Sequence, residues 1–96
     1  MNNVLTDTIE KQYWKIGEIA AELDIKPSKI RFWESEFGIV VKRTRSGNRM
    51  YNQKEHQLIH RIHHLLTVEM YTIPGARKRI AEDMKVFMDV SQFPEA

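Results

Sequence analysis

Pro27 constrains this chain more than any other residue. Upstream of it, Ile16, Ile19, Ala20 and Leu23 recur at i, i+3, i+4 and i+7, one face of a short helix. That helix cannot pass Pro27, because the residue before a proline is pushed out of the α region. The same proline is a favourable first residue for a second helix, since its φ already suits a helix and its missing N–H would be an orphan there. Ile30, Trp33 and Phe37 supply the apolar edge of that second helix, and Gly38 ends it. Two short helices separated only by Asp24 to Lys26 make a helix-turn-helix unit.

After Gly38 the period changes. Ile39-Val40-Val41 is β-branched, Ser46-Gly47-Asn48 is a turn cluster, and Arg49-Met50-Tyr51 returns as a strand. This predicts a small hairpin with Lys42, Arg43, Arg45 and Arg49 around its tip, which must lean on the helices because two strands alone are marginal. Leu58, Ile59, Ile62, Leu65 and Leu66 then predict a third helix from about Gln53 to about Met70. Thr72 caps a fourth, Pro74 is tolerated in its first turn, and Ile73, Ala76, Ile80, Met84 and Phe87 continue the apolar face until Pro94 closes the pattern. The expected fold is mainly α, a winged helix-turn-helix of four helices with a two-stranded β-hairpin wing between helices 2 and 3. Its expected layout is a flexible segment over 1–12, the winged domain over 13–88 and a tail over 89–96.

Length leaves room for one small domain, since 96 residues bury roughly 60% of the unfolded surface or slightly more. The absence of cysteine removes disulfides, thiolate metal sites and Cys nucleophiles together. No apolar run approaches the ~20 residues of a membrane span, and the first residues lack a signal-peptide layout. A cytoplasmic protein with no membrane partner is expected. The net charge of +2 hides a strong asymmetry: residues 1–25 sum to −3, residues 26–61 to +6 and residues 62–96 to −1. A central basic block is the footprint of an anionic partner. A helix fits the major groove, and an arginine-rich hairpin can lie along the phosphates or in the neighbouring minor groove.

Four pieces of sequence carry a family resemblance. Tyr13-x-x-Ile16-Gly17-Glu18-Ile19-Ala20, Ile30-Arg31-Phe32-Trp33-Glu34, Arg43-x-x-x-Gly47-x-Arg49-x-Tyr51 and Leu65-Leu66 with Tyr71-Thr72-Ile73-x-Gly75-Ala76 follow in order over roughly residues 13–80. Together they resemble the DNA-binding domain of MerR-type transcriptional regulators. The resemblance implies that Arg31 and the aromatic after Phe32, Trp33, lie at the DNA surface, and that Arg43, Arg49 and Tyr51 make wing contacts. It implies binding to pseudo-palindromic promoter DNA as a dimer; the small apolar patch available makes the expected homodimer weak in solution, and RNA polymerase is a further expected partner. Three features depart from the family pattern. Phe32-Trp33 stands where Tyr-Tyr is common, Lys15 replaces a Ser or Thr cap, and little chain follows the fourth helix where a long dimerising helix is usual. The apolar face Ile80, Met84, Phe87 and Met88, with Phe93 beyond it, is therefore the expected dimer contact.

The DNA-binding candidates are Lys15, Ser28, Lys29, Arg31, Trp33, Arg43, Arg45, Arg49 and Tyr51. Ser28, Lys29 and Arg31 sit at the end of the second helix that meets DNA in such units. Arg31 could instead pair with Glu34 or Glu18, though its place in the motif favours DNA contact. Trp33, at helical spacing between Ile30 and Phe37, reads as core before contact, with its N–H still able to reach a phosphate from a rim position. Arg43 and Arg49 have little structural reason to be arginine. His56, His60, His63 and His64 are expected on an exposed polar face; His56 and His60 have a chelating i, i+4 spacing, but the exposed face explains them more simply, and no metal or cofactor is expected. Glu34 and Glu36 point to different helix faces, and no catalytic constellation is present, so an enzyme is not expected. The alternatives are an excisionase-like architectural DNA-bending factor and a protein-interaction module whose basic patch meets an acidic partner.

Overall fold

The computed structural model describes residues 12–92, with side chains as far as Met84. The expected flexible segment, apart from Gln12, and the chain beyond Gln92, Phe93 and Pro94 included, lie outside the described residues. In order, the elements are α1 (Ile16–Leu23), α2 (Pro27–Phe37), β1 (Lys42–Arg43), β2 (Arg49–Met50), α3 (Gln53–Thr67) and α4 (Ile73–Gln92). This is the expected mainly helical fold with the hairpin between the second and third helices. The described residues form two compact units, divided between His63 and His64. In the first unit Ile19, Ala20, Ile30, Trp33, Tyr51, Ile59 and Ile62 are buried; in the second, Leu65, Ala76 and Ile80 are.

Local chemistry sets each helix boundary. Lys15 precedes α1 but has no acceptor with which to cap it; instead its own amide donates to Glu18 Oε1 at 2.8 Å. Pro27 opens α2, and Gly38 closes it in the left-handed region at φ 66°. Before α3 the reciprocal cap is complete. The Asn52 amide donates to Glu55 Oε1 at 2.9 Å and the Glu55 amide to Asn52 Oδ1 at 2.8 Å. Helix α3 stops at Thr67, short of the expected Met70, because Met70 turns left-handed at φ 60° and the Tyr71 amide reaches back to the Leu65 carbonyl at 2.8 Å. Thr72 caps α4 as expected, accepting from the Gly75 amide at 3.1 Å. That helix runs on to Gln92, into the expected tail.

The wing is shorter than expected. Lys42 pairs with Met50 and Arg43 with Arg49, and Gly47 at φ 93° closes the turn. Ile39-Val40-Val41 is not a strand, and Val40 is 87% exposed. Two residues further along, the ladder would need the Asn52 amide, which is committed to capping α3. Beyond β2 the return strand pairs elsewhere: Trp14 and Tyr51 exchange backbone hydrogen bonds at 2.8 and 2.9 Å.

Two left-handed residues make opposite predictions. Gly38→Ala meets no atom within 4 Å, so its cost is the backbone strain alone, about 1–2 kcal/mol. Met70→Gly relieves the same strain at an exposed position and gains a similar amount. Urea unfolding of both variants checks the pair; a loss of stability in Met70→Gly contradicts the account.

Candidate nucleic-acid interface

Helix α2 is oriented by what it buries. Ile30, Trp33 and Glu34 face inward, which leaves Ser28, Lys29, Arg31 and Phe32 exposed. Ser28, Lys29 and Phe32 join Asp24, Ile25 and Lys26 around a shallow depression at the start of the helix. Phe32 is 49% exposed while Trp33 is 2% exposed, so Trp33 follows its core reading and not the surface place that the resemblance implied. Trp33 shares the inward stripe with Ile30, and a buried indole offers nothing to DNA.

Among the described residues, Glu34 is the buried charge. Arg49 Nε donates to both of its oxygens, at 3.0 and 3.1 Å, and the Tyr51 hydroxyl donates to Oε2. Two candidates are corrected by this arrangement. Tyr51 is 0% exposed, so its hydroxyl belongs to Glu34 and not to a phosphate. Arg49 has a structural reason to be arginine, because it balances a carboxylate that burial would otherwise leave unpaired. Burial, and then the hydrogen bond to Glu34 and that residue's charge, push the Tyr51 phenol well above the ordinary tyrosine value. Glu34 is thereby occupied, and the sequence alternative that pairs it with Arg31 gives way.

The wing keeps its other cations outward. Lys42, Arg43 and Arg45 are exposed, and Arg43 Nη1 donates to the Gly47 carbonyl at 3.3 Å, folding over its own turn. A groove runs between the start of α1 and the wing, lined by Lys15, Gly17, Glu18, Asn48 and Arg49. Exposed Lys15 stands at its α1 side, beside a helix N-terminus whose dipole favours anions.

The histidines do not share one solvent face. His56 Nε2 and His60 Nε2 lie 2.7 and 2.8 Å from the same oxygen of Glu22 on α1. His56 also stacks on Trp14, ring centroids 4.2 Å apart and 10° between planes. His63 meets Trp33 at a tilt, and His64 pairs with Glu69 at 3.1 Å. Helix α3 packs close enough to α1 that half of the expected polar face becomes a contact. Partial burial raises the Glu22 pKa, but the hydrogen bonds and charge of His56 and His60 outweigh it and hold the carboxyl below its usual value.

Comparison with known protein families matches residues 14–83 to the MerR HTH family regulatory proteins. The chain belongs to the MerR HTH family. It is a DNA-binding domain of a transcriptional regulator, and the family is regulatory rather than enzymatic. The excisionase-like and protein-interaction alternatives are set aside by this membership. No curated protein matches the chain. No helix among the described residues is long and apolar enough to cross a membrane.

Sequence reasoning gave Glu34 only a surface pairing with Arg31, gave Phe32 no contact of its own and passed over Glu22. The burial of Glu34 was detectable, because an acid at i+4 from Ile30 and next to Trp33 falls on the buried stripe. Glu22 carried no such signal, since its partners lie 34 and 38 residues away.

Removing the Glu34 charge should be costly. Glu34→Gln is expected to lower stability by about 3–5 kcal/mol by breaking a buried pair, and Tyr51→Phe by about 1–3 kcal/mol. Arg43→Ala at the exposed tip should stay within about 0.5 kcal/mol. Because its pKa is raised in the folded state, Tyr51 adds stability that is complete below the unfolded value and declines above about pH 10. Chemical denaturation from pH 7 to 11 should show this decline in the native sequence and a smaller one in Tyr51→Phe. A Glu34→Gln variant as stable as the parent contradicts the whole assignment.

Proposed function

We propose that α2 reads the major groove through Ser28, Lys29 and Arg31, with Phe32 making apolar contact beside them. The observation that carries this reading is the orientation of α2. Its buried stripe leaves these four side chains together on one exposed surface within the basic block. Arg43 and Arg45 at the wing tip and Lys15 across the groove supply phosphate contacts, with Arg49 acting mainly by holding the wing. Residues 13–88 work together as the DNA-binding domain, in keeping with the extent of the family match.

Base readers and phosphate contacts respond differently to substitution. Lys29→Ala and Arg31→Ala should change which sequence is selected from random duplex DNA, each good contact being worth about 1–3 kcal/mol of discrimination. Arg43→Ala and Arg45→Ala should leave the selected sequence intact and lower the salt slope by roughly one for each phosphate no longer neutralised. An identical selected motif in all four variants refutes the assignment of α2 as the reader.

One helix in one groove reads few base pairs, so specific affinity calls for two half-sites and two subunits. We propose a homodimer on pseudo-palindromic DNA, weak in solution, joined through the second half of α4. Of the four expected contacts, Ile80 is buried within its own chain and is withdrawn. Met84 is 56% exposed and supports the reading; for Phe87 and Met88 only the helical backbone is described. A promoter address makes RNA polymerase the further partner. Sedimentation with a selected duplex should give two chains per duplex, and Met84→Asp should weaken the second binding step. One chain per duplex at saturation overturns the dimer.

A further inference from the structure

We propose that Glu22, His56 and His60 form a binding site for a borderline divalent transition-metal ion, zinc above all, that clamps α1 to α3. The three side chains each offer one ligand atom, and those atoms all lie within 4.8 Å of one another. Zinc ligands at about 2.0–2.2 Å from the ion stand roughly 3.3 Å apart around a tetrahedral centre. The imidazole-to-carboxylate distances of 2.7 and 2.8 Å therefore need only a small side-chain relaxation to admit the ion.

The donor chemistry selects the metal. Two imidazoles and a carboxylate, without thiolate, suit zinc, nickel or copper(II) rather than soft monovalent ions, and magnesium or calcium prefer oxygen alone. His56 and His60 are one helical turn apart on α3 and both direct Nε2 to Glu22 Oε1. Both ring nitrogens thus already converge on one carboxylate oxygen. A divalent ion would take these three ligand atoms, any Nε2 proton passing to Nδ1 or to solvent, with water as its fourth ligand. The stack of Trp14 on His56 holds that ring in place. All three ligands are partly exposed, which gives the ion a path in.

Trp14 also pairs through its backbone with Tyr51 at the foot of the wing. Occupancy of the site would thus tie α1, α3 and the residue that carries the wing into one frame. The site lies on the side of α1 that carries Glu22 and does not depend on which side chains read DNA.

Zinc titration of the full chain tests it, followed by equilibrium dialysis for stoichiometry and by tryptophan fluorescence, because Trp14 stacks on a ligand. One ion per chain is expected, with a melting temperature that rises with zinc concentration. His60→Gln and Glu22→Gln should each weaken binding by roughly tenfold or more, since loss of even an orienting partner costs about that much. The double variant His63→Gln/His64→Gln should bind as the parent does. In the unsubstituted protein, zinc should shift the imidazole resonances of His56 and His60 and leave that of His64 in place. The absence of saturable binding near neutral pH overturns the proposal. So does undiminished binding in both ligand variants, or a zinc-induced shift confined to His64.

Discussion

A carboxylate is buried between a helix and a hairpin, and the exposed face of α2 depends on how it is satisfied. Taking Glu34 out of water costs several kcal/mol unless partners replace its hydration. Arg49 Nε, donating to both oxygens, and the Tyr51 hydroxyl provide that replacement. The two donors come from the return strand of the wing and the residue just after it. The two-residue strands would have little to hold them alone; through Glu34 they are fastened to α2. The same carboxylate fixes the rotation of α2 about its axis, because a paired charge on the inward stripe cannot turn outward without losing its partners. Ser28, Lys29, Arg31 and Phe32 are exposed for that reason.

Tyr51 joins two such constraints in one residue. Its side chain serves Glu34, and its main chain exchanges hydrogen bonds with Trp14 just ahead of α1. Trp14 in turn stacks on His56 of α3. The start of α1, the wing and α3 are thereby linked through polar and aromatic contacts as well as through the apolar core of Ile19, Ile30, Ile59 and Ile62. Lys15 lies one residue from this junction, which places its charge at the edge of the groove opposite the wing.

The electrostatic division of labour follows. Of the nine bases in residues 26–61, Arg49 is spent on an internal acid, whereas Lys26, Lys29, Arg31, Lys42, Arg43 and Arg45 are exposed. The exposed positive field of this block comes from these, from Lys54 and from nearby Lys15, while Arg49 holds the wing to α2. A count of positive residues treats the two kinds alike.

What the sequence by itself determined were the features that act over a few residues. Pro27 and Gly38 set the limits of α2 through their backbone dihedrals. Thr72 capped α4, and the apolar period located all four helices, with the hairpin assigned to its place between the second and third. The quoted motifs also pointed to the family. Tertiary structure alone decided which charged and aromatic groups meet. Glu34 meets Arg49 and Tyr51 across 15 and 17 residues, and Glu22 meets His56 and His60 across 34 and 38. Helical spacing places a side chain on a face but cannot say whether a distant charge waits there. So Tyr51 read as a DNA contact, and His56 as a solvated residue, until packing brought their partners to them. The β-branched run Ile39-Val40-Val41 failed as a strand for a related reason: the amide it needed on Asn52 had already been taken by the cap of the next helix.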